Sequence, residues 1–199
     1  MLSLLFKISF FPRFVRQIFY TYFNRLMFWS AGAKIEKDML IRNRFYLKLY
    51  EGGKLIIGKK FIAWSGESIN PISRNLRCSI FVNTKASLTI GNNVGISSTC
   101  IWTDKSIFIG NNVKIGANCT IIDTDCHSLN YLNRRKIHLD RNDTKSRPIV
   151  IEDDVLIGAH SIVLKGVHIG RRTIIGAGSV VTNNIPNDCI AAGNPCRIM

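Results

Sequence analysis

At 199 residues, the chain is long enough for one sizeable core and short for two ordinary domains. Charged residues make up 20% and hydrophobic ones 46%, which excludes a disordered chain, and 15 Gly with 5 Pro exclude a collagen-like one. The net charge of +14 suggests nucleic acid, but the basic excess is confined to residues 1–60, with 12 Lys/Arg against 3 Asp/Glu, and residues 127–150, with 6 against 2. Basic residues on an apolar N-terminus and in one loop do not make a groove interleaved with stacking aromatics, so no nucleic-acid partner is expected.

Residues 1–34 read as an amphipathic helical segment. Lys7, Arg13, Arg16 and Arg25 break up the apolar residues, so no uncharged run approaches the roughly 18 residues of a spanning helix, and no export signal is apparent. Pro12 suits a helix start. Beyond it, Arg13, Arg16, Gln17, Thr21, Asn24 and Arg25 gather on one side of a helix. Phe14, Val15, Ile18, Phe19, Tyr22, Phe23, Leu26 and Phe28 gather on the other. Aromatics mixed with arginines suit a helix lying in a lipid interface, which predicts a cytoplasmic protein in peripheral contact with the inner membrane face. The competing expectation is a helix packed on its own domain or on a neighbouring subunit.

Residues 35–186 carry a six-residue repeat, faint before residue 85. β-Branched residues recur at Ile151, Ile157, Val163, Ile169, Ile175 and Val181, and the same step runs through Ile109, Ile115 and Ile121 and through Ile90 and Ile96. Glycine often follows, as at Gly91, Gly110, Gly116, Gly158, Gly170 and Gly176. Small or β-branched residues recur four places after the apolar one, a pattern that places Cys100 and Cys119 inward. The six cysteines form no CxxC pair and read as reduced thiols. A period of six fits neither an α-helix nor a lone strand. It predicts an all-β parallel β-helix, with short strands, one inward residue per hexad, and corners such as Asn92-Asn93, Asn111-Asn112 and Asn183-Asn184. Residues 187–199 read as a C-terminal tail.

The repeat stops at Ile121 and resumes near Ile149, leaving an inserted polar loop over 128–147. A solenoid that interrupts its repeat at this length builds a functional loop there. At the loop's root stands Asp123-Thr124-Asp125-Cys126-His127. Of the four histidines, His127 alone sits beside two carboxylates, as a general base with one ring nitrogen oriented and the other free requires. Asp123 and Asp125 are both candidates for orienting it. The loop's Arg134, Arg135, Lys136, Arg141, Lys145 and Arg147 form either a solvated surface or a contact with an anionic acceptor or a neighbouring protomer. His138, His160 and His168 read as outward, locally bonded side chains.

These repeats, with Ile122 to Ser128, Ile157-Gly158-Ala159 through Lys165-Gly166-Val167, Gly176-Ala177-Gly178-Ser179-Val180-Val181-Thr182, and Ala192-Gly193-Asn194-Pro195 with Arg197, resemble the hexapeptide-repeat acyltransferases. Within them the chain resembles the sugar and capsular polysaccharide O-acetyltransferases. The resemblance covers about residues 85–199 and implies a left-handed β-helix, a homotrimer, and acetyl-CoA as co-substrate with no metal. It implies that His127 draws the proton from a sugar hydroxyl as that hydroxyl attacks the thioester, with the Ala159 N–H stabilising the oxyanion. Ala159, Ala177, Thr182 and Arg197 match family coenzyme contacts, and Lys165 with Arg197 is suited to the CoA phosphates. The chain departs from the family at Asn183, where lysine is common, and at Leu156, where capsule-type enzymes often carry tryptophan. The expected acceptor is a saccharide or lipid-linked glycan in surface polysaccharide synthesis. The rival readings are N-acetylation of an amino-sugar nucleotide, a non-catalytic β-helix scaffold, and, last, a zinc enzyme of the γ-carbonic-anhydrase kind, whose H-x₄-H pair the sequence lacks.

Overall fold

The computed structural model describes residues 2–66, 70–73 and 75–199, with side chains from Phe14 onward apart from Ser73. The chain forms the expected left-handed parallel β-helix, a triangular prism whose three faces are parallel sheets. The first face runs through Lys34–Ile35, Lys54–Ile57, Ser87–Ile90, Ser106–Ile109, Ile149–Ile151 and His168–Ile169. The second runs through Leu40–Arg42, Ile62–Trp64, Gly95–Ser97, Lys114–Ala117, Leu156–Ile157, Ile174–Ile175 and Ile190–Ala192. The third runs through Tyr46–Leu49, Ser79–Val82, Cys100–Thr103, Thr120–Ile122, Ile162–Val163 and Val180–Val181. The faint repeat of residues 35–85 therefore continues the solenoid, its period hidden by longer corners.

Three hexads make one coil, so like residues stack: Ile151 pairs with Ile169, Ile157 with Ile175 and Val163 with Val181. All six are fully buried, as alternation along each short strand requires. Corner packing is tight enough that a Cβ on Gly158 would lie 2.4 Å from the Ala177 backbone nitrogen. Asparagine corners stack as a ladder: the Asn92 N–H donates to Asn111 Oδ1 (2.9 Å) and the Asn111 N–H to Asp153 Oδ1 (2.6 Å), while Asn93 and Asn112 take the left-handed conformation.

Three expectations change. Cys119 faces inward, but Cys100 faces outward, because the corner at Ser97–Ser98 is a residue short and the inward positions fall on Thr99 and Ile101. The last residues are not a free tail: Ile190–Ala192 pairs with Ile174–Ile175 and is doubled by antiparallel Arg197–Ile198. Helix α1 spans Leu2–Ser30 and runs through Pro12 rather than starting there. The side chains of Lys7, Pro12 and Arg13 lie outside the described residues.

Helix α1 packs on the open end of the first coil with its polar side inward. Asn24 Nδ2 donates to the Asn43 carbonyl (2.8 Å), Asn24 Oδ1 accepts from the Phe45 N–H (3.3 Å), and the Arg25 guanidinium donates to the Met39 carbonyl (3.1 Å). A first coil has no coil before it, so its edge groups need partners, and polar side chains supply them. Phe28 leaves the outward apolar face and is buried against Phe45. Phe14, Ile18, Phe19, Tyr22, Leu26 and Trp29 remain exposed. No helix among the described residues is long and apolar enough to cross a membrane.

Candidate active site

The inserted loop leaves the corner between the third and first faces on a short antiparallel stem. Thr124 bridges Ser146, the Asp125 N–H donates to the Lys145 carbonyl (3.0 Å), and the Arg147 N–H donates to the Asp123 carbonyl (2.9 Å). Above the stem, helices α2 (Tyr131–Arg134, capped by Asn130) and α3 (Ile137–Asp143) fold the loop back on its root. This hairpin decides which carboxylate meets His127.

That carboxylate is Asp140, from α3. His127 Nδ1 lies 2.7 Å from Asp140 Oδ2, and the Ser128 N–H donates to Asp140 Oδ1 (2.7 Å). Hydrogen bonds from His127 and then Ser128 hold the Asp140 carboxyl below the usual range. Behind it, Asp143 accepts from the Ser128 hydroxyl, Asn133 Nδ2 (3.0 Å) and Lys145 (3.1 Å), which hold its pKa down at about 2. The His127 side chain is 69% exposed against 13% for Asp140, so one ring edge is anchored and the other faces solvent.

Neither sequence candidate orients the histidine. Asp123 is fully buried and braces the coil below, accepting from the Thr103 hydroxyl (2.7 Å), the Asp104 N–H (2.6 Å) and the Lys105 N–H (2.9 Å). Burial pushes its pKa up despite those donors. Asp125 instead pairs with Lys165 Nζ at 2.5 Å, tying the loop's root to the next coil. Within the chain, Lys165 is thus paired with a carboxylate at the loop's root.

His127 opens onto a cleft of about 660 Å³. One wall is aromatic, formed by Tyr50, Phe81 and Trp102. Asn83, Asp104, Thr124, Arg141 and Thr144 are among its other lining residues. Asp140, Ser128 and the three aromatics are the site residues that periodicity missed. The only hint of Asp140 in the sequence was an acid in a basic loop. Three of the loop's six cations are engaged elsewhere, since Arg134 donates to the Ser128 carbonyl (2.6 Å), Arg135 stacks on Tyr131 and Lys145 meets Asp143, while Arg141 lines the cleft. His160 bonds Asn118 (3.1 Å), His168 bonds Glu152 (2.7 Å), and His138 is exposed. No group of His, Cys, Asp or Glu among the described residues is placed to hold a metal ion.

The residues matched to the coenzyme fall in two places. Thr182 follows the last strand of the third face, at the same corner as His127 but higher on the prism. Ala159 and Ala177 stack at the opposite corner, between the second and third faces, and Arg197 lies on the added strand of the second face. Within one protomer His127 and Ala159 stand at different corners.

Residues 148–183 match the family described as hexapeptide repeat of succinyl-transferase. Over 52 residues the chain is 46% identical to the 2,3,4,5-tetrahydropyridine-2,6-dicarboxylate N-acetyltransferase of Staphylococcus aureus strain Newman, covering 26% of this chain and 22% of that one. A second relative, from S. aureus strain Mu50, is 42% identical over 113 residues, covering 57% of this chain and 54% of its own length. The chain thus spans about a fifth to about half the length of these curated relatives. Among solved structures, the polySia-specific acetyltransferase NeuO shares the fold (TM-score 0.67, 23% identity, 84% of this chain and 65% of that one). The hexapeptide-repeat-containing acetyltransferase VCA0836 from Vibrio cholerae is 31% identical over 75% of this chain and 73% of its own, with a TM-score of 0.56. By its stacked hexads, and by a likeness to the V. cholerae protein that extends through most of both chains, this chain belongs to the hexapeptide-repeat acetyltransferases.

Proposed function

We propose that the protein transfers the acetyl group of acetyl-CoA to a sugar hydroxyl in surface polysaccharide or glycan synthesis, with His127 as general base. The observation that carries this reading is the His127–Asp140 pair at the mouth of the cleft. With Nδ1 engaged by the carboxylate, Nε2 faces the cleft as the proton acceptor. The acceptor oxygen attacks the thioester carbonyl as its proton passes to Nε2. The tetrahedral intermediate then expels the CoA thiolate, which takes the proton from Nε2 and restores the free base. Acetyl-CoA as donor is supported by the V. cholerae relative, which was crystallised with it and is 36% identical over 56% of this chain.

A homotrimer supports the coenzyme site. Ala159 and Ala177 stand at a different corner from His127, so a neighbour's corner facing the His127 cleft would bring the two halves together and offer the Ala159 N–H to the oxyanion. Thr182, Arg197 and Lys165 remain the further coenzyme contacts on this reading, with Lys165 exchanging Asp125 for a CoA phosphate. The outward aromatic face of α1, with the basic excess of residues 1–60, suits a cytoplasmic protein resting on the anionic inner membrane face, near a lipid-linked acceptor. A full-length variant with Phe19, Tyr22 and Trp29 changed to serine is expected to lose sedimentation with phosphatidylglycerol vesicles. Equal sedimentation would remove the membrane contact.

N-acetylation of an amino-sugar nucleotide is the second reading, and the S. aureus N-acetyltransferase relative supports an amine acceptor in general. Thiol release from acetyl-CoA with saccharides that carry or lack an amine separates the two. Acceptor-dependent release that falls roughly 10²-fold or more in folded His127→Ala supports the base assignment. Undiminished release in that variant refutes it.

A further inference from the structure

The aromatic wall of the cleft is built in register across successive coils. On the third face Lys48 pairs with Phe81, Phe81 with Trp102, and Trp102 with Ile122, the strand that leads into the His127 loop. The Phe81 and Trp102 rings stack at 4.3 Å and 27°, and Tyr50 meets Phe81 edge-on at 5.2 Å and 62°. Coils repeat at about 4.8 Å, so from Tyr50 to the loop's root this strip runs along the prism for roughly three spacings, or about 14 Å. Other outward positions of this prism also carry apolar side chains, such as Phe108, Leu156 and Ile174, but among the described residues the Tyr50–Phe81–Trp102 strip is where aromatic rings meet from coil to coil. A half-buried aromatic column keeps apolar area wet at a cost of roughly 25 cal/mol per Å².

Polar groups follow the column at the same period. Asn83 and Thr84 stand beside Phe81, Asp104 beside Trp102, and Thr124 beside Ile122, all lining the cleft. Asp104 Oδ1 is held by Asn83 Nδ2 (2.7 Å) and by Trp102 Nε1 (3.4 Å), while no described residue donates to Oδ2. The strip therefore offers an apolar ribbon edged by polar groups on each successive coil. That matches a chain of sugar rings, each with apolar C–H surfaces and a rim of hydroxyls. It does not match a nucleotide. Among the described residues lining the cleft, Arg141 is the one permanent cation, and Lys48 lies outside the lining against the Tyr50 and Phe81 rings (4.6 and 5.7 Å).

We propose that the acceptor is an oligosaccharide of two or more linked sugars, laid along the Tyr50–Phe81–Trp102 strip with its reacting residue at His127, and that Trp102 and Asp104 set its specificity. The proposal rests on the acetyl-transfer reading of the same cleft. It narrows the acceptor to a preformed glycan chain and excludes a nucleotide sugar, so acetylation follows the glycosyl-transfer steps that assemble that chain.

The test is binding of the full-length protein, without acetyl-CoA, to an array of bacterial surface glycan fragments graded from single sugars to hexasaccharides. The expected result is a signal in at least one series that rises roughly tenfold or more from one sugar to three, equivalent to about 1.4 kcal/mol. Trp102→Ala is expected to lower it by a similar factor, and millimolar UDP-N-acetylglucosamine to leave it unchanged. Trp102→Leu, which keeps apolar bulk at the stack, serves as the second variant, and melting temperatures confirm that both are folded. Binding to no series, a signal flat in chain length, indifference to both substitutions, or displacement by the nucleotide sugar each overturns the proposal. Thiol release is measured separately. Glycan binding without release removes the acetyl-transfer reading and leaves the glycan site standing, while release onto single sugars with a flat array does the reverse.

Discussion

His127 Nδ1 and Asp140 Oδ2 lie 2.7 Å apart, joined by a hairpin that returns a carboxylate from α3 to the loop's own root. The inserted loop thus supplies the partner of the histidine it carries. Asp140→Asn keeps the shape and removes the charge that favours the Nδ1–H tautomer. It is expected to lower kcat by roughly 10²-fold or more with a small change in acceptor KM. Steady-state kinetics on the folded variant decide it. A loss confined to KM would make Asp140 a loop brace only.

The same loop carries a pH dependence. Asp143 titrates near 2 in place of 3.8, held down chiefly by the Ser128 hydroxyl, then by Asn133 and Lys145, and Asp140 is lowered too. A carboxyl whose folded pKa is depressed stabilises the fold above its unfolded pKa, and that contribution is lost as pH falls through the folded value. The loop should stay closed above about pH 4 and open as pH drops from about 4 to 2. Pepsin cleavage within 128–147, scaled to an unfolded control, should appear over that window. Asp143→Asn should bring cleavage to higher pH, and cleavage indifferent to both would show that these bonds do not hold the loop.

Asp123 is expected to matter for stability rather than for the proton. Asp123→Ala strands the Thr103 hydroxyl and two backbone N–H groups in a buried corner, at a cost of about 3 kcal/mol. Thr103→Val removes one bond and costs about 1 kcal/mol. Urea midpoints measure both. The activity of the folded fraction should survive in Thr103→Val, and a collapse there at unchanged stability would return Asp123 to the chemistry.

Gly158→Ala tests the corner packing. Its Cβ would meet the Ala177 backbone nitrogen at 2.4 Å, and backbone has no rotamer with which to yield. Thermal unfolding should register a loss of about 2 kcal/mol or more. An unchanged melting temperature would show that the coils can separate locally.

The upper coils could be read in advance because each buried position from Ile151 to Val181 repeats at an unbroken interval. The lower coils hid the same fold, since a corner that gains or loses residues shifts the phase without changing which faces pair. Cys100 faces outward for that reason. His127 was visible from its neighbours Asp123 and Asp125, yet nearness in sequence named the wrong partner for it. Asp123 points down to the preceding coil, Asp125 across to Lys165, and Asp140, further along the chain, returns to the ring.

By itself the sequence determined the solenoid, its period and the place of its interruption. Burial of one residue in each hexad is a local rule, and a local rule is written in local spacing. Tertiary structure alone decided which carboxylate meets His127, that Lys165 is already paired, that Tyr50, Phe81 and Trp102 form one strip, and that α1 turns its polar side to the solenoid. Each of these joins residues on different coils or across the inserted loop. Their pairing energy depends on how corners and hairpins bring them together, and no periodicity along the chain encodes that.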